Sequence, residues 1–223
     1  PDDFLGVDLG IVKIATDSQG EHFAGNKLNS VRNRYFRIRK KLQKKGTKSA
    51  KRLLKKRKRK ERRFASDTNH VISKQLLAKA KAFGLGIALE DLKGIRDRVT
   101  VRKPHRRRHT NWSFYDLRTK ITYKAQLAGV KVVFVDPRNT SRMCSVCGYI
   151  SKNNRPNQST FLCQACGFSC NADANAAINI GRRATVNLPN VDALKPKPLN
   201  LVLMSELRWS IATSPRTLVG VID

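Results

Sequence analysis

"FLGVDLGIVKIATDSQGEHFAG" runs from Phe4 to Gly25. Its first third, Phe4 to Gly10, is a short apolar run with one acid, Asp8, near its end. The rest reads as two more strands around a Ser18-Gln19-Gly20 turn. The chain therefore opens with a three-strand antiparallel meander, and every later element has to attach to that sheet.

From Arg32 to Arg63 the chain carries 19 Lys or Arg and one acid, Glu61. Tyr35, Ile38 and Leu42 recur at helical spacing, and "GTKS" (Gly46 to Ser49) then interrupts the pattern. A second helix continues through Phe64, Val71, Ile72, Leu76, Ala80 and Phe83. This is a basic helical hairpin whose second arm docks on a core with its C-terminal half. "GLGIALEDL" (Gly84 to Leu92) is a buried strand ending in two acids, and Arg96 to Arg108 is a basic, proline-containing loop. "SFYDLRTKITYKAQLAG" is a helix with Phe114, Leu117, Ile121 and Leu127 on one side and Gly129 as its stop. "VKVVFVDP" is a fifth strand closed by Pro137, and "SCNADANAAINI" (Ser169 to Ile180) is a short alanine-rich helix. Residues 184–223 lose periodicity and read as a loosely ordered tail. The order predicts an α/β fold: a mixed five-stranded sheet with flanking helices, as in ribonuclease-H-like nucleases.

The 223 residues suffice for one domain with an insertion. A net charge of +30 and a pI near 10.7 predict a polyanionic partner, with nucleic acid favoured over an acidic membrane surface. The basic segments are poor in the Trp and Phe that membrane-surface helices carry, and no run is long and apolar enough to span a bilayer. No signal-peptide pattern opens the chain. A cytoplasmic location is expected. The first residue is Pro1, so we expect a processed or partial version of a longer product.

Four of the five cysteines form two pairs, Cys144-x-x-Cys147 and Cys163-x-x-Cys166, separated by 15 residues. That spacing fits a zinc ribbon, and each pair is followed by a glycine suited to a tight knuckle turn. Four thiolates make a closed, structural site for Zn²⁺. The other reading is four ordinary buried thiols. Cys170 lies outside the pattern and reads as a free thiol.

Asp8, Glu90, Asp91 and Asp136 sit at ends of apolar strands, where ligands of open α/β sheets gather. The first and fourth strands are neighbours in the expected sheet, so Asp8 and Glu90 can meet, and Asp173 arrives from the first turn of the last helix. Three such carboxylates form a hard-oxygen site for Mg²⁺ or Mn²⁺. A pair of these ions suits phosphodiester hydrolysis. Taken alone, Asp173 reads as an acid complementing the helix dipole. With Asp8 and Glu90 in matching places, it reads as a catalytic ligand. Asp136 reads as a turn acid, and Asp91 points to the opposite face from Glu90.

The density of one-signed charge makes phosphate contact the better reading of the hairpin, with Lys55, Lys56, Arg57, Lys58, Arg59 and Lys60 at its centre. Arg106, Arg107 and Arg108 add to it. Trp112 is the candidate for stacking on a base, whereas Phe114 reads as core.

"GVDLG", "ALEDL", "NTSRMCSVCG…FLCQACG" and "NADANAAINI", in that order, resemble the RuvC-like nuclease of TnpB (OrfB-type) proteins, over roughly residues 4–183. Such proteins are encoded by insertion-sequence transposons and are related to type V CRISPR effectors. The resemblance implies an RNA-guided DNA endonuclease of transposition, with Asp8, Glu90 and Asp173 catalytic and the four cysteines holding zinc. It implies DNA as a partner, and a guide RNA in the full-length form, in a prokaryotic host. Such proteins usually carry a region before their first catalytic strand, and with three residues ahead of Phe4 that region is expected to be missing here. Two alternatives stay open: a non-catalytic nucleic-acid-binding remnant or regulator, and a strand-transferring transposase. The expected organisation is residues 1–28 as the first part of the nuclease domain, 29–83 as the inserted hairpin and 84–139 as the second part. Residues 140–170 then form the zinc ribbon, 171–183 the final helix and 184–223 the tail.

Overall fold

A computed structural model describes residues 3–92 and 114–186. The meander forms as β1 (Phe4–Asp8), β2 (Lys13–Asp17) and β3 (His22–Ala24). Asp17 closes the β2–β3 turn by accepting from the backbone N–H groups of Gln19 and Glu21 at 3.0 and 2.9 Å. Its other oxygen takes Lys79 Nζ at 2.5 Å.

Two helices follow, α1 (Asn26–Lys45) and α2 (Lys48–Ala82). Gly46 ends α1 in a left-handed conformation (φ 64°). Thr47 then caps α2, its side chain accepting from the Ala50 N–H at 3.2 Å. The 35 residues of α2 span roughly 52 Å, more than the sheet can cover. Its second half is anchored on the main core by Ile72, Leu76 and Ala80, with Asn69 and Ser73 also buried, whereas Val71 and Phe83, the residue after the helix, are exposed. The distal half packs on α1 and is tied across the hairpin by Arg39 and Glu61 at 2.7 Å.

β4 (Gly86–Glu90), α3 (Phe114–Leu127) and β5 (Val132–Val135) complete the main layers. The sheet order is β3-β2-β1-β4-β5, with β1 parallel to β4, β4 parallel to β5, and the other pairs antiparallel. This is the mixed five-stranded sheet that the element order predicts. Phe114 is core, as expected, but Leu127, the last residue of α3, is exposed. The last helix, α4 (Ala172–Val186), runs to Val186 and buries Ala184.

Strand alternation sorts the two faces. Leu5, Val7, Ile87 and Leu89 pack with Ile72, Leu76, Leu117 and Ile121 of α2 and α3. Phe4, Ala88 and Val135 face the other way, against Ile180 and Ala184 of α4. Gly6 is on that second face, and a Cβ there would land on the backbone of Ala177 and Gly181. Gly181 answers from the helix: a Cβ on it would lie 2.9 Å from the Phe4 carbonyl oxygen. Backbone meets backbone at this crossing, which sets the height of α4 over β1. We expect Gly6→Ala to cost about 3 kcal/mol or more, because backbone has to move to admit the methyl. Denaturant unfolding of the variant checks this, and an unchanged midpoint would contradict so close an approach.

Candidate active site

The ribbon lies between β5 and α4. It is built from β6 (Thr160–Leu162) and β7 (Ser169–Asn171), a bridge between Met143 and Ile150, and a 3-10 turn at Lys152–Asn154. Its two knuckles repeat one design. The Cys144 and Cys163 N–H groups donate to Tyr149 O and Phe168 O, and Gly148 and Gly167 turn with φ of 77° and 72°. The N–H groups of Val146 and Cys166 point at the sulfurs of Cys144 and Cys163 at 3.4 and 3.5 Å. The Cys166 amide, aided by that of Ala165, holds the Cys163 thiol down, at about 6.

The sulfurs of Cys144 and Cys166 are 3.7 Å apart, and those of Cys147 and Cys163 3.6 Å. A tetrahedron with metal–sulfur bonds of ~2.3 Å has edges of about 3.8 Å, so the donor set fits one metal ion. Among the described residues, these four form the one group of three or more His, Cys, Asp or Glu side chains whose ligand atoms all lie within 4.8 Å of one another. Cys170 is a half-buried free thiol, pushed up to about 11 by burial.

Asp8, Glu90 and Asp173 come to the same end of the sheet on its α4 face. Asp8 ends β1 and Glu90 ends β4, and the register runs Phe4↔Gly86 to Val7↔Leu89, so the two carboxylates leave neighbouring strand ends. Asn171 caps α4: its Oδ1 accepts from the Asp173 and Ala174 N–H groups at 3.1 and 3.4 Å. Asp173 thus sits in the first turn, eight residues before Gly181. That is roughly 12 Å along the helix from the Gly6 crossing, which carries it past the end of β1. Burial first, then the charges of Glu90 and Asp173, push the Asp8 carboxyl up to about 7. Burial also raises Glu90, against the Thr140 hydroxyl and the charge of Arg183.

Three residues here have no sequence signal of their own. Lys13, at the start of β2, donates to Asn171 Oδ1 at 3.1 Å and pairs with Asp173 at 3.2 Å. Arg155, from the loop between the cysteine pairs, lies 3.5 Å from the other Asp173 oxygen. Thr140 contacts Glu90 at 2.5 Å. Each joins positions far apart in the chain, so neither spacing nor periodicity marks them. Asp136 accepts from the Arg138 N–H in its own turn at 3.0 Å, and its charge still reaches Glu90 and helps raise it. Asp91 pairs with Arg118 of α3, on the opposite face from Glu90.

Lys55, Lys56, Lys58, Arg59 and Lys60 are exposed on the distal half of α2, and Arg57 is half-buried. Arg106, Arg107, Arg108 and Trp112 lie outside the described residues. None of the helices of the described residues is long and apolar enough to cross a membrane.

Residues 114–180 match the family model "Cas12f1-like, TNB domain". The chain is 44% identical over 132 residues to the CRISPR-associated endodeoxyribonuclease Cas12f1 of Sulfoacidibacillus thermotolerans, a match covering 59% of this chain and 28% of that protein. It is 33% identical over 162 residues to the TnpB-like protein MJ0751 of Methanocaldococcus jannaschii, covering 71% of this chain and 58% of that one. The chain therefore spans less than two thirds of the length of either relative. The fold superposes on a solved Cas12f1-sgRNA-target DNA complex with a TM-score of 0.64 at 23% identity, over 81% of this chain and 50% of that one. Sheet order, four-cysteine ribbon and these matches agree: the chain is a TnpB-type relative of the type V CRISPR effectors, built on a RuvC-like nuclease fold.

Proposed function

We propose that this chain is the nuclease part of an RNA-guided, transposon-encoded DNA endonuclease, and that Asp8, Glu90 and Asp173 hold its divalent ions. The observation that carries the proposal is the placement of the three acids, with Asp8 and Glu90 at neighbouring strand ends and Asp173 in the first turn of α4, near enough for Asp8 to feel the charges of both. A folded protein with so few acids gains nothing in stability from gathering three of them. Among the described residues the three carboxylates do not all lie within 4.8 Å of one another, a spacing that a site for more than one ion would accommodate. Asp8, which feels the charges of both Glu90 and Asp173, would be the acid shared by such a site.

Two Mg²⁺ or Mn²⁺ ions, when bound, supply stabilisation of the attacking and leaving phosphodiester oxygens. The protein's own groups do the rest. Glu90 is steadied by Thr140. Lys13 and Arg155 pair with Asp173 and present cationic donors where a phosphate would enter. The four cysteines hold a structural Zn²⁺, which fixes the chain entering α4 and with it Asp173. Sequence choice comes from base pairing with a guide RNA, as in the complex whose fold this chain shares. Strand transfer needs the same ions and is the rival outcome.

The test is cleavage of a guide-matched DNA in Mg²⁺ by the protein that carries this chain, which each of Asp8→Ala, Glu90→Ala and Asp173→Ala should abolish. Joined rather than cut products would favour strand transfer.

The hairpin binds the phosphate backbone in this reading. Neutralising Lys55, Lys56 and Lys58 should weaken DNA and RNA binding alike and lower the log–log salt slope by about one unit per lost contact. Binding measured across salt concentrations checks it, and an unchanged slope would remove these lysines from the interface.

A further inference from the structure

Glu90 needs a fixed rotamer if one of its oxygens is to meet a divalent ion, and the end of a strand does not provide one. Thr140 Oγ1 lies 2.5 Å from Glu90 Oε1 and 3.0 Å from the Pro137 carbonyl oxygen. One hydroxyl carries one proton, so it donates to one of these at a time. An ionised carboxylate is the stronger acceptor. Thr140 is 2% exposed, so water does not compete for it. A β-branched side chain is also stiff about χ1, which aims the hydroxyl.

The backbone behind that hydroxyl is held as well. The Thr140 carbonyl accepts from Asn179 Nδ2 at 2.9 Å, and Asn179 is fully buried in α4. The same amide nitrogen donates to the Met143 carbonyl at 2.7 Å, next to the ligand cysteine Cys144. Asn175, one turn earlier, donates to Met143 O at 2.8 Å and accepts from the Ser145 N–H at 3.0 Å. Arg183 donates to the carbonyls of Asp136 and Arg138. Helix α4 thereby clamps the segment leading into the ribbon at four points on either side of Thr140.

We propose that Thr140 is a positioning residue for Glu90: its hydroxyl holds Oε1, fixes the carboxylate rotamer and leaves Oε2 to a divalent ion. The inference rests on the reading of Glu90 as a metal ligand. Carboxylates that ligate metals are themselves hydrogen-bonded, and losing such a partner weakens metal binding 10–100-fold as a rough range.

The experiment measures Mn²⁺ binding to the zinc-loaded chain by calorimetry and by electron paramagnetic resonance, with no substrate present. Thr140→Val keeps the shape and removes the donor, and it should weaken Mn²⁺ binding by about 10–100-fold at unchanged zinc content and melting temperature. Thr140→Ser keeps the donor and should stay close to wild type. If Thr140→Val melts early or loses zinc, the pair Thr140→Ser and Thr140→Ala isolates the hydroxyl instead, since both lack the methyl. The serine variant should then bind Mn²⁺ and the alanine variant should bind it weakly. Equal binding by donor and non-donor variants, with Glu90→Gln impaired, overturns the role of Thr140 and leaves Glu90 as a ligand. Wild-type binding by Glu90→Gln, or no Mn²⁺ binding by the wild type, overturns the metal reading of Glu90 and with it the inference.

Discussion

Asp8→Asn should abolish divalent-ion-dependent cleavage, and the same variant should be more stable than the wild type above pH 7 when no divalent ion is added. Both effects have one cause. The wild-type carboxyl is pushed up to about 7 by burial and by its two acidic neighbours, from an ordinary value near 4 in the unfolded chain. Between those two values the folded chain keeps a proton that the unfolded chain releases. Stability therefore falls as pH rises from about 4 to about 7, and the full penalty remains above that. Asparagine mimics the protonated form, so the variant loses this fall. Mg²⁺ should reverse the ranking by neutralising the carboxylates of the wild type, while the variant would have lost a charged oxygen ligand. Cleavage should drop by roughly 10³-fold or more, since the ion-binding residue is lost and not merely misplaced. Melting curves at pH 5 and 8, with and without Mg²⁺, check the stability half. A wild type that Mg²⁺ does not stabilise at pH 8 would remove Asp8 from any metal site.

Removal of the metal from the ribbon should be the other large effect. The ribbon has a small core, Phe161 and Ala172 with Cys144 and Cys163, and cannot fold on that alone. Structural zinc contributes on the order of 10 kcal/mol in comparable small modules. Elemental analysis should find one zinc per chain, and Cys163→Ser should lose it. The damage should reach beyond the ribbon. Asn175 and Asn179 would lose the carbonyls of Met143 and Thr140, and Thr140 would release Glu90. The start of α4 would loosen at Asn171, which the strand pair β6–β7 anchors. The metal-free protein should thus lose protection of β7 and of the first turn of α4 in hydrogen exchange, while α2 and α3 keep theirs. Protein purified without chelator that contains no zinc would refute the assignment.

Much of this architecture follows from local chemistry that a sequence displays. Alternation and turn residues give the meander, and helical spacing on either side of Gly46 gives the hairpin. Two Cys-x-x-Cys pairs give the ribbon because a tetrahedral thiolate site demands that spacing. Asp8 and Glu90 stand out as candidates because each ends an apolar strand, those strands are neighbours in the expected sheet, and alternation separates Glu90 from Asp91. Asp173 is legible only by its company, since the first turn of any helix favours an acid.

Other features exist only once the chain is folded. The glycines at 6 and 181 look like ordinary strand and helix positions, yet the crossing they allow sets where Asp173 comes to rest. Lys13 and Arg155 are two among 46 basic residues, and nothing in their neighbours singles them out. They matter because β2 and the loop between the cysteine pairs both pass Asp173. Thr140 is one of several polar residues before Cys144 and gains a role only where β4 ends beneath it. Local sequence is enough to give the elements and to single out candidate acids and thiols, because short-range sterics, periodicity and ligand spacing act within a few residues. Tertiary structure decided which cations and hydroxyls surround those acids, because that depends on how closely two backbones approach and on which long-range strand pairs form.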